Sequence, residues 1–460
     1  MKAVIMAGGR GTRIQSIASD IPKPMIPVLG KPVLQYQIEN LRRCGFEDII
    51  LVTGYLSDPI TGYFGDGSGF GVNISYFNEE RPMGTAGALH YLRDSLKEDF
   101  LLLMGDLMLS VDFERFMKAH RESKAAVTLF VHPNSHPFDS DIIVTDEVGR
   151  LEDFTEDKCS EKISSVKGRP QARPVTGVIG KKEPRGEGFY YHNQVNSGIY
   201  AFSGEIPELV PEPLEKIDLD RDVIRPLIGK GRVYAYSSSE YVKDMGTPER
   251  YAEVTEAVET GLAEHRNLAH RQKCIFLDRD GTVNVEKGFL NNAEGMELLP
   301  GAAEALRRVN SSEYLTVIIT NQPVIARGEC SFEELDEIMK KFDTLLGREG
   351  AYVDGVFYCP HHPDSGFKNE VRQLKFRCRC RKGRPGMILD AAERFNIDLE
   401  NSWMIGDKTS DVGCGFNAGT HTILLRTGAA GSDGRFELQP DHICADLEEA
   451  VALILKGREN

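Results

Sequence analysis

At 460 residues the chain is too long for one ordinary hydrophobic core, so two or three domains are expected. Its formal net charge of −15 argues against general binding to nucleic acid or anionic membrane, both of which would repel it. No apolar run approaches the roughly 20 residues of a membrane span, the N-terminal run is too short for a signal peptide, and nine cysteines form no disulfide framework. A cytoplasmic, multidomain protein of enzyme size is expected.

In chain order, short apolar runs end in glycine, acid or turn and are followed by helical patterns: "KAVIMAGG", "DIILVTGY" and "FLLLMGD" in the first half, "KCIFLDRDG", "LTVIITNQ", "SWMIGDK" and "HTILLRTG" in the second. Buried parallel strands with crossover helices read this way, so an α/β class with two doubly wound domains is expected. Ligands of such sheets sit just beyond the strands' carboxyl ends. In "AVIMAGGRGTR", Gly8, Gly9 and Gly11 allow backbone N–H groups to approach an anion, and Arg10 and Arg13 add charge. Lys23 follows in a proline-rich turn, "EERPMGTAGAL" carries Gly84 and Thr85 ahead of a helix, and Asp106 ends a strand. Then come "TEDK" with Glu156 and Lys158, Asn196 in "VNSGIYAF", and Asp244 in "VKDMGTPERY". The Lys-, Gly- and Pro-rich stretch from about 157 to 190 reads as a long insertion.

The strand–helix rhythm breaks at "ERYAEVTEAVETGLAEHRNLAHRQ", a helix interrupted by glycine and then a polar linker, before a fresh strand at Lys273. The expected division is 1–255, a helical linker over 256–272, and 273–460.

In the second half "CIFLDRDG" ends a strand at Asp278 and Asp280; side chains at i and i+2 share one face of extended chain, so both carboxylates can enter one site. Alone, Asp-x-Asp-Gly is also good turn chemistry. Further strands deliver Thr320 and Asn321, then Asp407 and Asp411, and the run "KFRCRCRKGRPGM" offers Arg381 and Lys382. Several carboxylates around one point need a counter-charge, and Mg²⁺ with hard oxygen ligands supplies it. "CPHHP" gives Cys359, His361 and His362, and "CRC" gives Cys378 and Cys380; two close pairs across a short loop is structural-zinc spacing.

The second half resembles the haloacid dehalogenase superfamily, and more narrowly the D-glycero-D-manno-heptose-1,7-bisphosphate 7-phosphatases, over residues 273 to 456. The resemblance implies Asp278 as a nucleophile that becomes an aspartyl-phosphate and Asp280 as general acid/base. It implies Thr320, Asn321, Arg381 and Lys382 on phosphate, and Mg²⁺ on Asp278, Asp407 and the main-chain carbonyl of Asp280, supported by Asp411. It also selects His361 as the zinc ligand beside Cys359, Cys378 and Cys380. Two positions depart from that family: Val324 where glycine is usual, and Gly383 where proline is usual.

Residues 1 to 255 resemble the sugar-1-phosphate nucleotidyltransferases, most closely the guanylyltransferases acting on heptose 1-phosphate. That likeness implies the triphosphate on Gly8, Gly9, Gly11, Thr12 and Arg13, with Lys23 on the reacting phosphates and Gly84 and Thr85 at the base. Mg²⁺ would lie on Asp106 and Asp244, and the sugar phosphate on Glu156, Lys158 and Asn196. Together the resemblances imply removal of the 7-phosphate from a heptose bisphosphate and transfer of GMP from GTP to heptose 1-phosphate. The alternative is a mannose- or other hexose-1-phosphate transferase fused to a histidinol-phosphate-type or other sugar-phosphate phosphatase. GTP and heptose phosphates are the implied partners, with a homo-oligomer allowed.

Overall fold

The computed structural model describes residues 1–8, 21–54, 56–146, 154, 171–181, 186 and 188–456. Two α/β sheets carry the chain. The first has nine strands in the spatial order Asn73–Asn78, Asp48–Thr53, Lys2–Met6, Phe100–Met104, Val195–Phe202, Val127–His132, Val233–Ser237, Ala172–Ile179 and Ile142–Thr145. The four at the first edge are mutually parallel, and Val195–Phe202 runs antiparallel to Phe100–Met104. Strands such as "KAVIM" and "FLLLM" are apolar on both faces because helices cover both. Val33–Arg43 and Phe113–Ser123 close one face, and Gly87–Leu92 packs on the other.

The second sheet is wholly parallel, ordered Gly355–Cys359, Tyr314–Asn321, Lys273–Leu277, Trp403–Gly406, His421–Leu425 and His442–Cys444. Helices Ala302–Asn310, Phe332–Arg348 and Leu447–Lys456 bury their apolar stripes on one face, and Gly386–Phe395 lies on the other. Phe332–Arg348 begins in a capping box: the Ser331 hydroxyl accepts from Glu334 N, and the Glu334 carboxylate accepts from Ser331 N.

One expectation is corrected. Part of the stretch read as an insertion is a sheet strand: Ala172–Ile179 pairs with both Val233–Ser237 and Ile142–Thr145. Its Pro174 and Gly177, with the nearby lysines, hid the β-branched positions. The polar residues that end the linker are packed inside the protein. After Gly261, which takes φ +77° between helices Pro248–Glu259 and Leu262–His265, the polar residues Arg266, Asn267 and Gln272 are all buried. Arg266 reaches Asp354 Oδ1 at 3.3 Å and donates to the carbonyls of Ser312 and Tyr314. An arginine with several donors can satisfy a group of strand-end carbonyls, which a linear hydropathy reading cannot anticipate.

The segment entering strand Val195–Phe202 also packs on a helix of the second unit. His192 bridges Asp343 and Asp336, each at 3.0 Å, and Tyr191 N donates to Thr344 Oγ1 at 3.0 Å, all on helix Phe332–Arg348. No helix among the described residues is long and apolar enough to cross a membrane.

Candidate active sites

The first site grows from the register Met6↔Met104, which makes Ala7–Gly8 and Gly105–Asp106 leave the sheet side by side. Gly105 has no room for a side chain: a Cβ there would lie 2.9 Å from the Met6 carbonyl and 3.2 Å from Pro24 Cγ. That close approach carries the proline-rich turn against the strand end, and Lys23 Nζ reaches Asp106 Oδ2 at 3.0 Å. Strand Tyr241–Asp244 pairs antiparallel with Leu107–Ser110, placing Asp244 opposite Leu107 and thus beside Asp106. Burial raises the Asp244 carboxyl, but Arg250 at 2.7 Å outweighs it and holds the group below the usual carboxylate range. Asn196 is at the same end, where Val195–Phe202 bulges between Asn196 and Tyr200. Its amide donates to the Tyr200 hydroxyl at 3.1 Å.

Of the remaining expected residues, Gly84 takes φ +87° against Ile217, and the Thr85 hydroxyl accepts from Leu219 N at 2.7 Å. Both therefore fix the wall of the site to residues 217–219. Gly9, Gly11, Thr12, Arg13, Glu156 and Lys158 lie outside the described residues. A Cβ at Gly8 would lie 3.6 Å from Glu79 Oε2 and from Gly54 N. Sequence reasoning missed Glu79. Its Oε1 is buried with no hydrogen-bond partner among the described residues, and burial raises its pKa against the Met83 N–H. An acid directly after strand Asn73–Asn78 was the available signal.

The second site forms at the carboxyl edge of the parallel sheet. Leu277 is level with both Ile318 and Ile405, so Asp278, Thr320 and Asp407 emerge together. One oxygen each from Asp278, Asp407 and Asp411 falls within 4.8 Å of the others. Lys382 Nζ bridges Asp278 at 2.5 Å and Asp411 at 2.8 Å. Burial and the facing Asp278 push the Asp407 carboxyl up to about 6; burial pushes Asp411 to about 7 despite Lys382. Asp407 Oδ1 is buried without a hydrogen-bond partner among the described residues, and Lys408 Nζ is 3.8 Å away. This surplus of hard oxygen donors over ammonium groups fits Mg²⁺. Gly281, at φ +85°, makes the cluster possible, since a Cβ there would lie 2.4 Å from Asp407 Oδ2.

Asp280 is held apart from that cluster. Arg279, wholly buried, grips it through Nε and Nη2, while Asn284 and Gln322 donate at 3.0 and 3.1 Å. Burial raises the Asp280 carboxyl, but these donors together keep it below its ordinary value. Gln322 also donates to Thr320 Oγ1 at 2.9 Å, and Asn321 Oδ1 accepts from Lys382 N at 3.0 Å. Arg279 and Gln322 were not anticipated; each reads in sequence as a surface residue. The basic run divides its labour. Lys382 enters the carboxylate cluster, Arg381 donates to the His361 carbonyl at 3.0 Å, Arg379 pairs with Asp390 and Arg384 donates to the Cys378 carbonyl.

Beside it, Cys359, His361, Cys378 and Cys380 converge in a buried cluster. Cys359 Sγ is 3.5 Å from Cys378 and 3.3 Å from Cys380; His361 Nδ1 is 3.5 Å from Cys359 and 3.2 Å from Cys380. Tetrahedral zinc with bonds of about 2.3 Å to sulfur and about 2.0–2.1 Å to nitrogen needs ligand separations only a few tenths of an ångström longer. Hydrogen bonds from the neighbouring Cys359, Cys380 and His361 pull the Cys378 thiol far below its ordinary pKa, toward the thiolate a metal requires. His362 instead turns to the Asp364 carbonyl at 3.3 Å.

Residues 2–261 match the Nucleotidyl transferase family, and residues 379–450 match the HAD-hydrolase-like family. The D-glycero-beta-D-manno-heptose-1,7-bisphosphate 7-phosphatase of Pasteurella multocida is 40% identical over 158 residues, 34% of this chain and 83% of that protein. The Escherichia coli K12 protein of the same name is 38% identical over 162 residues, with 35% and 83% covered. Among solved structures, HddC from Yersinia pseudotuberculosis aligns with a TM-score of 0.44 at 25% identity, covering 56% of this chain and 99% of that one. D,D-heptose 1.7-bisphosphate phosphatase from B. bronchiseptica, complexed with magnesium and phosphate, aligns with a TM-score of 0.36 at 33% identity, covering 40% and 99%. The chain is thus a bifunctional enzyme, belonging through residues 2–261 to the nucleotidyl transferase family and through its C-terminal part to the family of D-glycero-beta-D-manno-heptose-1,7-bisphosphate 7-phosphatases.

Proposed function

We propose that the protein performs two adjacent steps: it removes the 7-phosphate of D-glycero-D-manno-heptose 1,7-bisphosphate, then joins GMP from GTP to the resulting heptose 1-phosphate, releasing pyrophosphate and GDP-heptose. The observation that carries this reading is the presence, on one chain, of a part 40% identical to heptose-bisphosphate phosphatases and a nucleotidyl transferase part. The product of the first chemistry is a sugar 1-phosphate, the substrate class of the second. We assign residues 1–255 to the transferase, 256–272 to the linker and 273–460 to the phosphatase.

In the phosphatase, Asp278 attacks the 7-phosphorus and the ester oxygen leaves as the sugar hydroxyl, giving an aspartyl-phosphate that water then hydrolyses to orthophosphate. Lys382, Thr320 and Asn321 hold the phosphoryl oxygens. Asp280 protonates the leaving oxygen and later takes a proton from the attacking water. Its ionised state beside Arg279 suits the second duty, and the first requires its release from that clamp. Asp278, Asp407 and the Asp280 carbonyl would hold Mg²⁺, which when bound offsets charge on the phosphoryl oxygens.

In the transferase, Lys23 and Arg13 counter the charge of the reacting phosphates while the sugar phosphate, held by Asn196, Glu156 and Lys158, attacks the α-phosphorus in line. Asp106 and Asp244 would hold the divalent ion there. Guanine is favoured by Glu79: its carboxylate, with Oε1 buried and lacking a donor among the described residues and Oε2 toward Gly8, suits the N1–H and N2–H₂ edge, which uracil and adenine do not offer in that arrangement. Zn²⁺ on Cys359, His361, Cys378 and Cys380 would be structural, because four protein ligands leave no open position.

A one-pot reaction with the heptose bisphosphate, GTP and Mg²⁺, followed by mass spectrometry, tests the whole reading. GDP-heptose with one orthophosphate and one pyrophosphate per turnover is the expected result. Orthophosphate alone would refute the guanylyl step, and no reaction would refute the sugar.

A further inference from the structure

One residue of the transferase part lies inside the hydrophobic core of the phosphatase part. Phe154 is 8% exposed, and the other buried residues of its cluster all come from positions 275 to 454. Its ring stacks on Phe332 with centroids 5.6 Å apart and planes at 15°, packs on Tyr358 at 5.3 Å, and meets the edge of His361 at 6.0 Å. Its main-chain carbonyl accepts a hydrogen bond from His361 Nε2 at 2.7 Å, across 207 residues of sequence.

That bond decides which nitrogen of His361 carries the proton. With Nε2–H donating to a carbonyl, Nδ1 keeps its lone pair, and Nδ1 is the atom that faces the Cys359 and Cys380 sulfurs. A hydrogen bond of this kind orients a ligating imidazole and raises its basicity. Here the partner comes from the other domain, in a segment that continues within two residues into Glu156 and within four into Lys158.

We propose that the Cys359–His361–Cys378–Cys380 metal centre is shared between the two domains: Phe154 is the positioning residue that fixes His361 for the metal, and the filled centre anchors the transferase segment leading into Glu156 and Lys158. Reciprocity follows from linkage, since a contact that favours metal binding is favoured by the metal to the same degree. The anchoring half rests on the sugar-phosphate role proposed above for Glu156 and Lys158; the metal half does not.

The test uses the full-length zinc-loaded protein with Phe154→Ala and, as the conservative variant, Phe154→Leu, which refills much of the apolar volume. Phe154→Ala keeps the main-chain carbonyl but removes the ring that holds it on His361, so zinc release to a chromophoric chelator should be faster by up to about 10- to 100-fold, the range for weakened outer-shell partners of metal ligands, and largely restored in Phe154→Leu. The visible ligand-field bands of the cobalt-substituted protein should shift in the same order. For the transferase, the KM for the sugar 1-phosphate should rise several-fold, with kcat changing less, both in Phe154→Ala and in zinc-stripped wild type. Wild-type zinc release and cobalt bands in Phe154→Ala would overturn the metal half. Should that variant fail to fold, wild-type zinc release and cobalt bands in a folded Phe154→Val variant, whose side chain is too short to fill the place of the ring, would overturn it. Faster zinc release with an unchanged KM would overturn the anchoring half. A wild-type protein inactive on every sugar 1-phosphate would strike the proposed function instead, and zinc release would still decide the metal half.

Discussion

Lys382 Nζ lies 2.5 Å from Asp278 Oδ2, with both side chains almost wholly buried, so the nucleophile proposed for the phosphatase is held by the cation proposed to receive its phosphate. Asp278→Asn removes the attacking oxygen while keeping shape, and phosphatase turnover should fall by about 10³-fold or more. Lys382→Ala should cost about 10²- to 10³-fold, the range for losing one preorganised contact to developing charge. Transferase rates, measured separately as pyrophosphate release, should stay within twofold for both variants, because neither residue touches the first sheet. Equal loss of both activities would mean the two sites are not independent.

Glu79 supplies the prediction for base choice. Glu79→Gln keeps the volume but replaces one acceptor oxygen with a donor, so guanine would meet an N–H where it needs a carboxylate. The efficiency with GTP should fall about 10- to 100-fold, consistent with unpaired polar groups in a binding site. Efficiency with UTP or ATP, however low, should fall less. A uniform loss across all nucleotides would assign Glu79 to folding rather than to the base.

Glu240 predicts a pH dependence of stability away from both sites. Its carboxylate accepts from Asp112 N at 2.6 Å, Leu268 N at 3.1 Å and the Ser238 hydroxyl at 2.9 Å, tying the linker to the helix Phe113–Ser123. Burial raises its pKa from 4.5 to about 7 despite those donors. The folded state therefore binds this proton more tightly than the unfolded chain. Its contribution is complete below pH 4.5 and is lost as pH rises through about 7, where ionisation must occur in the buried site. Glu240→Gln can donate to the Ser238 hydroxyl and still accept from the two backbone N–H groups. Denaturant unfolding of wild type and variant should diverge between pH 5 and 8, with the wild type losing stability relative to Glu240→Gln as pH rises. Parallel curves would remove Glu240 as the cause.

What sequence could reveal depended on whether a residue's partner was near in the chain or set by the sheet. Asp278, Thr320 and Asp407 were legible because parallel strands all end at one edge, so polar residues after separate apolar runs must converge there. Cys359, Cys378 and Cys380 were legible from spacing, with His361 and His362 both on offer; the choice of His361 came from the resemblance. Arg279 was not, because an arginine between two aspartates in a turn reads as solvated, whereas here it is fully buried and clamps Asp280. Arg266 failed for the same reason: Asp354, 88 residues away, becomes its neighbour only after folding. Phe154 is the extreme instance, an apolar residue whose partners lie in a different sheet and domain. No local periodicity carries that information.

The departure at Gly383 gives the last prediction. Gly383, where the resemblance leads one to expect proline, takes φ +94° next to Lys382. A proline is confined near φ of about −65° and cannot adopt that conformation. Even alanine meets two obstacles, since its backbone would be strained there and its Cβ would lie 2.4 Å from the Phe436 ring. The Gly383 carbonyl is also fixed by the Asn417 amide at 2.7 Å, so the peptide cannot simply turn over. Gly383→Pro should displace Lys382 from Asp278 and Asp411 and lower phosphatase turnover at least about tenfold, in line with misplacing one charge-stabilising group. Gly383→Ala should lose less. Adding Phe436→Ala to Gly383→Ala should recover only part of the loss, because it removes the collision and leaves the backbone strain. Full recovery in the double variant would mean that Phe436 contact alone requires the glycine, and full activity of Gly383→Pro would mean that the loop can present Lys382 by a different backbone path.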